Sequence, residues 1–399
     1  MKSPLRTIGL PLVAGVVAAI VGVPQFQRLA DDRSLLKAYD FVQYYSAGSL
    51  LLERNDPYDP DLLWPIQRSI YDGVDKTIMM WNPPWALPLT LPFAALPWRI
   101  AQFLWIGLQL AAVLISADLL WRMFGGDPHY RWAAWLIALT FAPTLFLLMM
   151  GQIPGLILLG LCGFYHYLNR DQPIVAGCFA ALTAIKPHLL PLFALVFLLE
   201  AIRCRKTRVA LISGVVCLAV FSLLPLIWNQ HVWSDYLEAM SRPPSEKFQT
   251  MREFEHPTLG YWLRGLVPGN PFVVQFVPAI LAMVGVVVLW LRSREPGDLF
   301  RLLPLLVLVS VLTAGYGAWT FDLVLLLVAV IPIAIGIAKQ STRTPWLILH
   351  AAAYLMLNFL VLRTIQEPGS QSNLWVAPAV FIVFLIYGRA VSHSEQAIR

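Results

Sequence analysis

An all-α, polytopic membrane protein of about 12 (roughly 11–13) transmembrane helices, with a helical first outer loop, is the fold class this sequence predicts. Three observations carry the prediction. Only 13% of the 399 residues are charged, about half the share of an ordinary soluble domain. Hydrophobic residues make up 58% and the mean hydropathy is +0.66. The apolar stretches also run on without the period-two alternation of a membrane β-barrel. A soluble globular enzyme, a disordered chain and a fibrous protein are thereby excluded. The net charge of +6 fits basic loops on a cytoplasmic face. No nucleic-acid partner is expected, since no soluble basic stripe exists to carry one. Cys162, Cys178, Cys204 and Cys217 sit in or beside apolar stretches and imply no disulfide framework.

In chain order the apolar stretches are 8–24, 84–97, 99–121, 132–150, 152–168, 173–186, 187–202, 209–228, 272–291, 302–316, 322–338, 345–362 and 374–388. The first follows Lys2 and Arg6. It is longer than a signal-peptide core and has no small-x-small cleavage site, so it reads as a retained helix. The second holds Pro84, Pro88, Pro92 and Pro97 and is the least fit to cross. Several others fall short of the ~20 residues that cross a bilayer upright. Short pieces joined at Pro or Gly suggest broken helices lining a cavity. With 84–97 not crossing, the basic residues share one side: Lys2, Arg6, Arg122, Arg131, Arg170, Arg203, Arg205, Lys206, Arg208, Arg292, Arg294, Arg301, Lys339, Arg343, Arg389 and Arg399. Both termini then lie inside, and 1–399 reads as a single integral membrane domain. Two polar loops lie outside. The first, 27–82, carries six Lys/Arg and nine Asp/Glu; the second, 229–271, carries four and five.

The first loop holds the densest polar constellation. Residues 40–53 have the pattern of a short juxtamembrane helix, begun at Asp40 and ended by Asn55-Asp56-Pro57. Its period puts Asp40, Tyr44 and Ala47 or Gly48 on one face. A carboxylate on a small-residue face above a bilayer can act as a general base; as a helix N-cap it is structural instead. Trp81-Asn82-Pro83-Pro84-Trp85 reads either as the wall of an outer cavity or as a proline-kinked helix. Gly151-Gln152 interrupts an apolar stretch, where Gln152 either binds a polar ligand or caps a turn. Lys186-Pro187-His188 sets a lysine between two short apolar stretches. Such a lysine needs a partner, and an anion at the outer surface, such as a lipid phosphate, is the natural one; snorkelling is the alternative. His188 is a candidate contact to the same anion. His256, in the second loop beside Tyr261 and Trp262, is a candidate sugar or phosphate contact. Tyr316 and Trp319 are candidates to stack on a sugar face. Asp322 reads as the cap of the following helix or as a substrate contact. Asp118 has an i+4 partner in Arg122.

There is no GxGxxG, Walker A, HExxH, GxSxG or CxxC pattern. Asp59-Pro60-Asp61 has DxD spacing inside a proline-rich turn. No cofactor is indicated, and a divalent metal is left open. A multi-span transporter or lipid flippase is the competing reading. Against it stand the lack of two corresponding half-chains with interrupted helices and the long polar first loop. A non-catalytic envelope scaffold is a third reading.

Taken in order, these pieces resemble glycosyltransferase family 87, of the GT-C class of polytopic, polyprenyl-phosphate-sugar-dependent enzymes that includes mannosyltransferases. The first-loop signature is matched by Asp40, Tyr44, Tyr45, Ala47, the leucine run 50–52, Asp56, Pro57 and Tyr58. Pro83 and Pro84 match the double proline, Gly151 and Gln152 the mid-chain pair, Lys186 and Pro187 the next step, and Phe321, Asp322 and Leu323 the last. Arg54-Asn55 stands where the family usually has Gly, Asn82 where an aromatic is common, and His256-Pro257-Thr258 where an Asn-Gln-Ser-like step is usual. The resemblance implies an inverting transfer of a sugar, usually mannose, from a polyprenyl-phosphate donor. The acceptor would be a hydroxyl of a glycolipid or glycan, reached among membrane lipids at the periplasmic face of the inner membrane. It also implies Asp40 as the base. Lys186 with His188 would sit at the departing phosphate, with Tyr44, Gln152, His256, Tyr316 and Asp322 at the substrates.

Overall fold

Proline sets the rhythm of this chain: among the described residues, six apolar helices begin with one at the first or second position, where the missing N–H costs nothing. The computed structural model describes residues 38–71, 75–250, 252–293, 295, 297–340, 344–364 and 371–387. Among them the structure is helix, 3₁₀ turn and loop, with β pairing limited to isolated bridges from Thr77 and Ser245 to Phe248. The all-α expectation holds, and the first loop is helical: α1 (Phe41–Leu52) and α2 (Pro60–Ile70). After α3 (Trp98–Met123) come α4 (Arg131–Thr140), α5 (Ala142–Met150), α6 (Pro154–Asn169), α7 (Pro173–Ala181), α8 (Pro191–Arg203) and α9 (Arg205–Leu223). The second loop holds α10 (Val232–Ser241) and α11 (Leu259–Gly265). The later helices are α12 (Val277–Arg292), α13 (Leu303–Thr313), α14 (Leu327–Gln340), α15 (Thr344–Arg363) and α16 (Val376–Tyr387).

The span count is far below the expected dozen. Among the described residues, five helices are long and apolar enough to cross a membrane: Trp98–Met123, Arg205–Ile227, Phe272–Arg292, Asp322–Lys339 and Trp346–Arg363. A sixth arises if Pro128–Thr140 and Ala142–Met150, bent by 59°, count as one span. Composition misled for two physical reasons. First, prolines divide apolar stretches into pieces too short to cross. Residues 84–97 form only the 3₁₀ turn Pro84–Leu89 and the single turn Leu91–Ala94. Residues 187–202 open with a 3₁₀ turn, and α8 has only 13 residues, Pro191–Arg203. Second, helices whose composition would suit a span stop short of crossing length: α6 has 16 residues. α6 is buried along nearly its whole length, from Pro154 to Leu168, whereas α9 exposes Ile212, Val216, Val220 and Leu223. The parity argument for both termini inside falls with the count. Stretch 8–24 lies outside the described residues.

α1 is not a surface helix. Phe41, Tyr44, Ala47, Leu50 and Leu51 are all buried, and Phe41 stacks between Trp98 and Trp105. Its start abuts the end of α5, the Asp40 N–H donating to the Met150 carbonyl at 2.9 Å. Asp118 pairs with Arg122, as expected, and also with Arg131.

Candidate active site

Gly151 ends α5 in the left-handed region, φ 66°, where a side chain is strained. A Cβ there would also come within 2.8 Å of the Ala38 and Phe41 Cβ atoms. Only a glycine lets these two backbones meet, and their meeting brings Gln152 under Asp40. The Trp105 indole N–H donates to the Gly151 carbonyl at 2.7 Å and fixes the turn.

Gln152 is the hub of a buried network. Its Nε2 donates to Asp40 Oδ2 at 2.8 Å. Its Oε1 accepts from the Tyr44 hydroxyl at 2.9 Å and from Lys186 Nζ at 3.1 Å. An ammonium can only donate, so the amide orientation is determined by its partners. Lys186 Nζ also donates to Asp322 Oδ1 at 2.9 Å, and Asp322 Oδ2 accepts from the Trp319 backbone N–H at 3.1 Å. Tyr44, Gln152, Lys186 and Asp322 are buried; Asp40 keeps a partly exposed edge. The Lys186 ammonium lies 4.9 Å from the Phe321 ring centroid and 5.9 Å from that of Trp319, within cation–π range.

Asp40 stands at the N-cap position of α1, yet its side chain makes no cap hydrogen bond. The carboxylate faces Gln152 instead. Burial pushes it up to about 6, against the lowering effects of the Gln152 hydrogen bond and the Lys186 charge; Asp322 adds to the rise. A base tuned to that range is half-ionised near pH 6 and mostly ionised at pH 7, where it can take a proton.

Lys186 lies between the 3₁₀ turns Leu182–Ile185 and Pro187–Leu189. Asn82 Nδ2 donates to the Ile185 carbonyl at 3.0 Å and Trp85 Nε1 to the Ala184 carbonyl at 2.8 Å. The Tyr58 hydroxyl in turn donates to the Asn82 carbonyl at 3.1 Å. The double-proline segment thus clamps the backbone that presents the lysine, a role the sequence reading did not find. Asp59 caps α2 and Asp61 pairs with Lys247, so the DxD carboxylates are both engaged.

A second cluster adjoins the first through Trp319. His256 is buried and its Nδ1 accepts from the Gly317 N–H at 3.1 Å; its ring lies 5.3 Å from that of Trp319. His188 stacks on Tyr316 with centroids 4.2 Å apart. Its Nε2 is buried and has no hydrogen-bond partner among the described residues. His188 and Tyr316 make no hydrogen bond into the Gln152 network. Gly317, at φ 74°, would bring a Cβ within 2.6 Å of His188 Nε2, a constraint no sequence pattern announced. Beside Lys186, an apolar cleft of about 200 Å³ is lined by Trp85, Leu89, Phe179, Ile185, Leu218 and Phe221 among others.

The model of glycosyltransferase family 87 matches residues 81–315. That range contains Gln152, Lys186, His188 and His256; Asp40, Tyr44, Tyr316 and Asp322 fall outside it. The chain is also similar to two curated proteins, each described as an alpha-(1->3)-arabinofuranosyltransferase, from two strains of Mycobacterium tuberculosis. Each is 28% identical over 236 residues, covering 58% of this chain and 52% of the relative. The chain thus spans about half the length of the curated relatives it matches. No solved structure matches it.

Proposed function

The chain belongs to glycosyltransferase family 87, and on that premise we propose that it moves a sugar, with inversion, from a polyprenyl-phosphate donor to a hydroxyl of a glycan or glycolipid. The observation that carries this reading is the Asp40–Gln152–Lys186–Asp322 network. The Asp40 carboxylate takes the proton of the acceptor hydroxyl. The freed oxygen attacks the anomeric carbon, and the bond from that carbon to the phosphate oxygen breaks. The lipid phosphate leaves with the electron pair. Lys186 uses two of its three N–H donors on Gln152 and Asp322. The third is available to the leaving phosphate as charge builds on it. Asp322 pairs with the ammonium at 2.9 Å and holds it in place. His188, with its unpartnered Nε2, offers a further contact to the phosphate. Tyr44 orients Gln152, while His256 and Tyr316 wall the sugar site. The apolar cleft beside Ile185 suits the start of the prenyl chain. The reaction face is the outer face of the inner membrane, by the resemblance alone.

Mannose is the family's usual donor sugar. The relatives' description as arabinofuranosyltransferases favours arabinofuranose as a second reading. The test is transfer of radiolabelled sugar from a panel of polyprenyl-phosphate mannose, glucose and arabinofuranose, with native envelope lipid as acceptor. Membranes holding wild type should label a product from one donor, and membranes holding Asp40→Asn at equal protein level should not. Silence from every donor would sink the proposal.

A further inference from the structure

A second cleft, polar and distinct from the apolar one, opens between α1, α2 and the first turn of α3. Its volume is about 510 Å³, inside the roughly 300–1,000 Å³ of small-molecule sites. α1 gives it Tyr45 and Ser49, and Glu53 follows directly at the helix C-terminus, each four residues from the last on one stripe. Tyr71 follows α2, and Trp98 and Arg99 open α3. Tyr71 meets Trp98 edge to face at 5.7 Å, and Tyr45 meets Trp98 likewise at 5.1 Å.

Two observations point to a ligand. The Tyr71 hydroxyl is buried with no hydrogen-bond partner among the described residues, a costly state that a bound polar group would relieve. The cleft also sits next to the base. Tyr39, which precedes Asp40, stacks on Tyr71 at 5.8 Å. Asp40 and Arg99 both act electrostatically on the Tyr71 phenol, which burial pushes up. Aromatic faces, hydroxyls and one charge of each sign suit a saccharide, whose ring has apolar faces and a polar edge. A lipid chain would find two charged side chains here, and the apolar cleft beside Ile185 holds none.

The geometry points to a saccharide subsite: this cleft takes the sugar ring that precedes the acceptor hydroxyl delivered to Asp40, so the acceptor carries at least two sugar rings. The ligand class rests on the transferase reading; the cleft and its residues do not. The enzyme therefore selects its acceptor by the penultimate ring, outside the residues that perform the transfer.

The test is binding to the full chain in lipid nanodiscs, by calorimetric titration with octyl glycosides of one or two hexose or pentose rings. A two-ring glycoside should bind wild type at least tenfold more tightly than its one-ring counterpart. Arg99→Ala and Ser69→Trp, the latter at an exposed position on the rim, should each remove that advantage, and Ser69→Ala should keep it. Equal binding of one-ring and two-ring probes, or an advantage unchanged in both blocking variants, overturns the subsite. Selective two-ring binding without sugar transfer from any donor would instead overturn the donor reading and leave the subsite standing.

Discussion

Asp40, Gln152, Lys186 and Asp322, far apart in the sequence, make one hydrogen-bonded network. Lys186 and Asp322 are 136 positions apart yet form a buried ion pair at 2.9 Å. Removing one member of such a pair strands the other, at a cost of about 3–5 kcal/mol, while removing both is often tolerated. Lys186→Met should therefore lower the melting temperature sharply. Adding Asp322→Leu should recover much of the loss and none of the transfer activity. If the double variant is no more stable than the single one, the pair is not a coupled unit. Asp40 makes a second prediction. Its carboxyl is raised from 3.8 to about 6 in the folded chain, so folding binds its proton more tightly. Stability is lost as pH rises from about 4 to 6, by at most about 3 kcal/mol for a two-unit rise. Asp40→Asn should thus melt above wild type at pH 7.5 and level with it at pH 4. Gln152, Lys186 and Asp322 were legible as polar groups in or beside apolar stretches, where such a group is costly unless used, and Asp40 as the start of a helix in the polar first loop. Their partners were not legible. The sequence suggested an external anion for Lys186; the fold supplies Asp322.

Elements position the network through backbone contacts that sequence patterns barely signal. The α5 terminus reaches α1 only through Gly151. Gly151→Ala combines a left-handed backbone with contacts under 3 Å, so it should destabilise by about 1 kcal/mol for the backbone and more for the displaced helix start. Transfer should fall with it, and thermal melts beside activity assays will show both. The Asn82–Trp85 clamp acts on carbonyls 184 and 185. Asn82→Ala removes one buried hydrogen bond, worth about 1–3 kcal/mol, and should lower transfer about tenfold in a folded protein. Unchanged transfer would show that Lys186 needs no clamp. α1 was legible from its period and its Asn-Asp-Pro stop. Its burial was not, since its partners Trp98 and Trp105 belong to a helix that begins more than forty residues later.

At the scale of the molecule, mean hydropathy gave the class and misjudged the count, because it does not show where helices stop: α6 has 16 residues and α8 has 13. Exposure shows which helices face the surroundings. A lipid-soluble photolabel should modify α9 at Ile212, Val216 and Val220 and α15 at Leu355, Met356 and Phe359, all more than half exposed. It should spare the buried α6. Equal labelling of α6 would contradict its burial in this fold. The account as a whole turns on Asp40 as a base tuned by its burial and by Gln152. The measurement that tests it most directly is the pH dependence of single-turnover sugar transfer by wild type and Asp40→Asn. The account predicts a wild-type rate that climbs with pH to half its plateau near 6, and a residual variant rate, at least about a thousandfold lower, that does not change with pH. A wild-type rate flat from pH 5 to 8, or the same rise in Asp40→Asn, would contradict it.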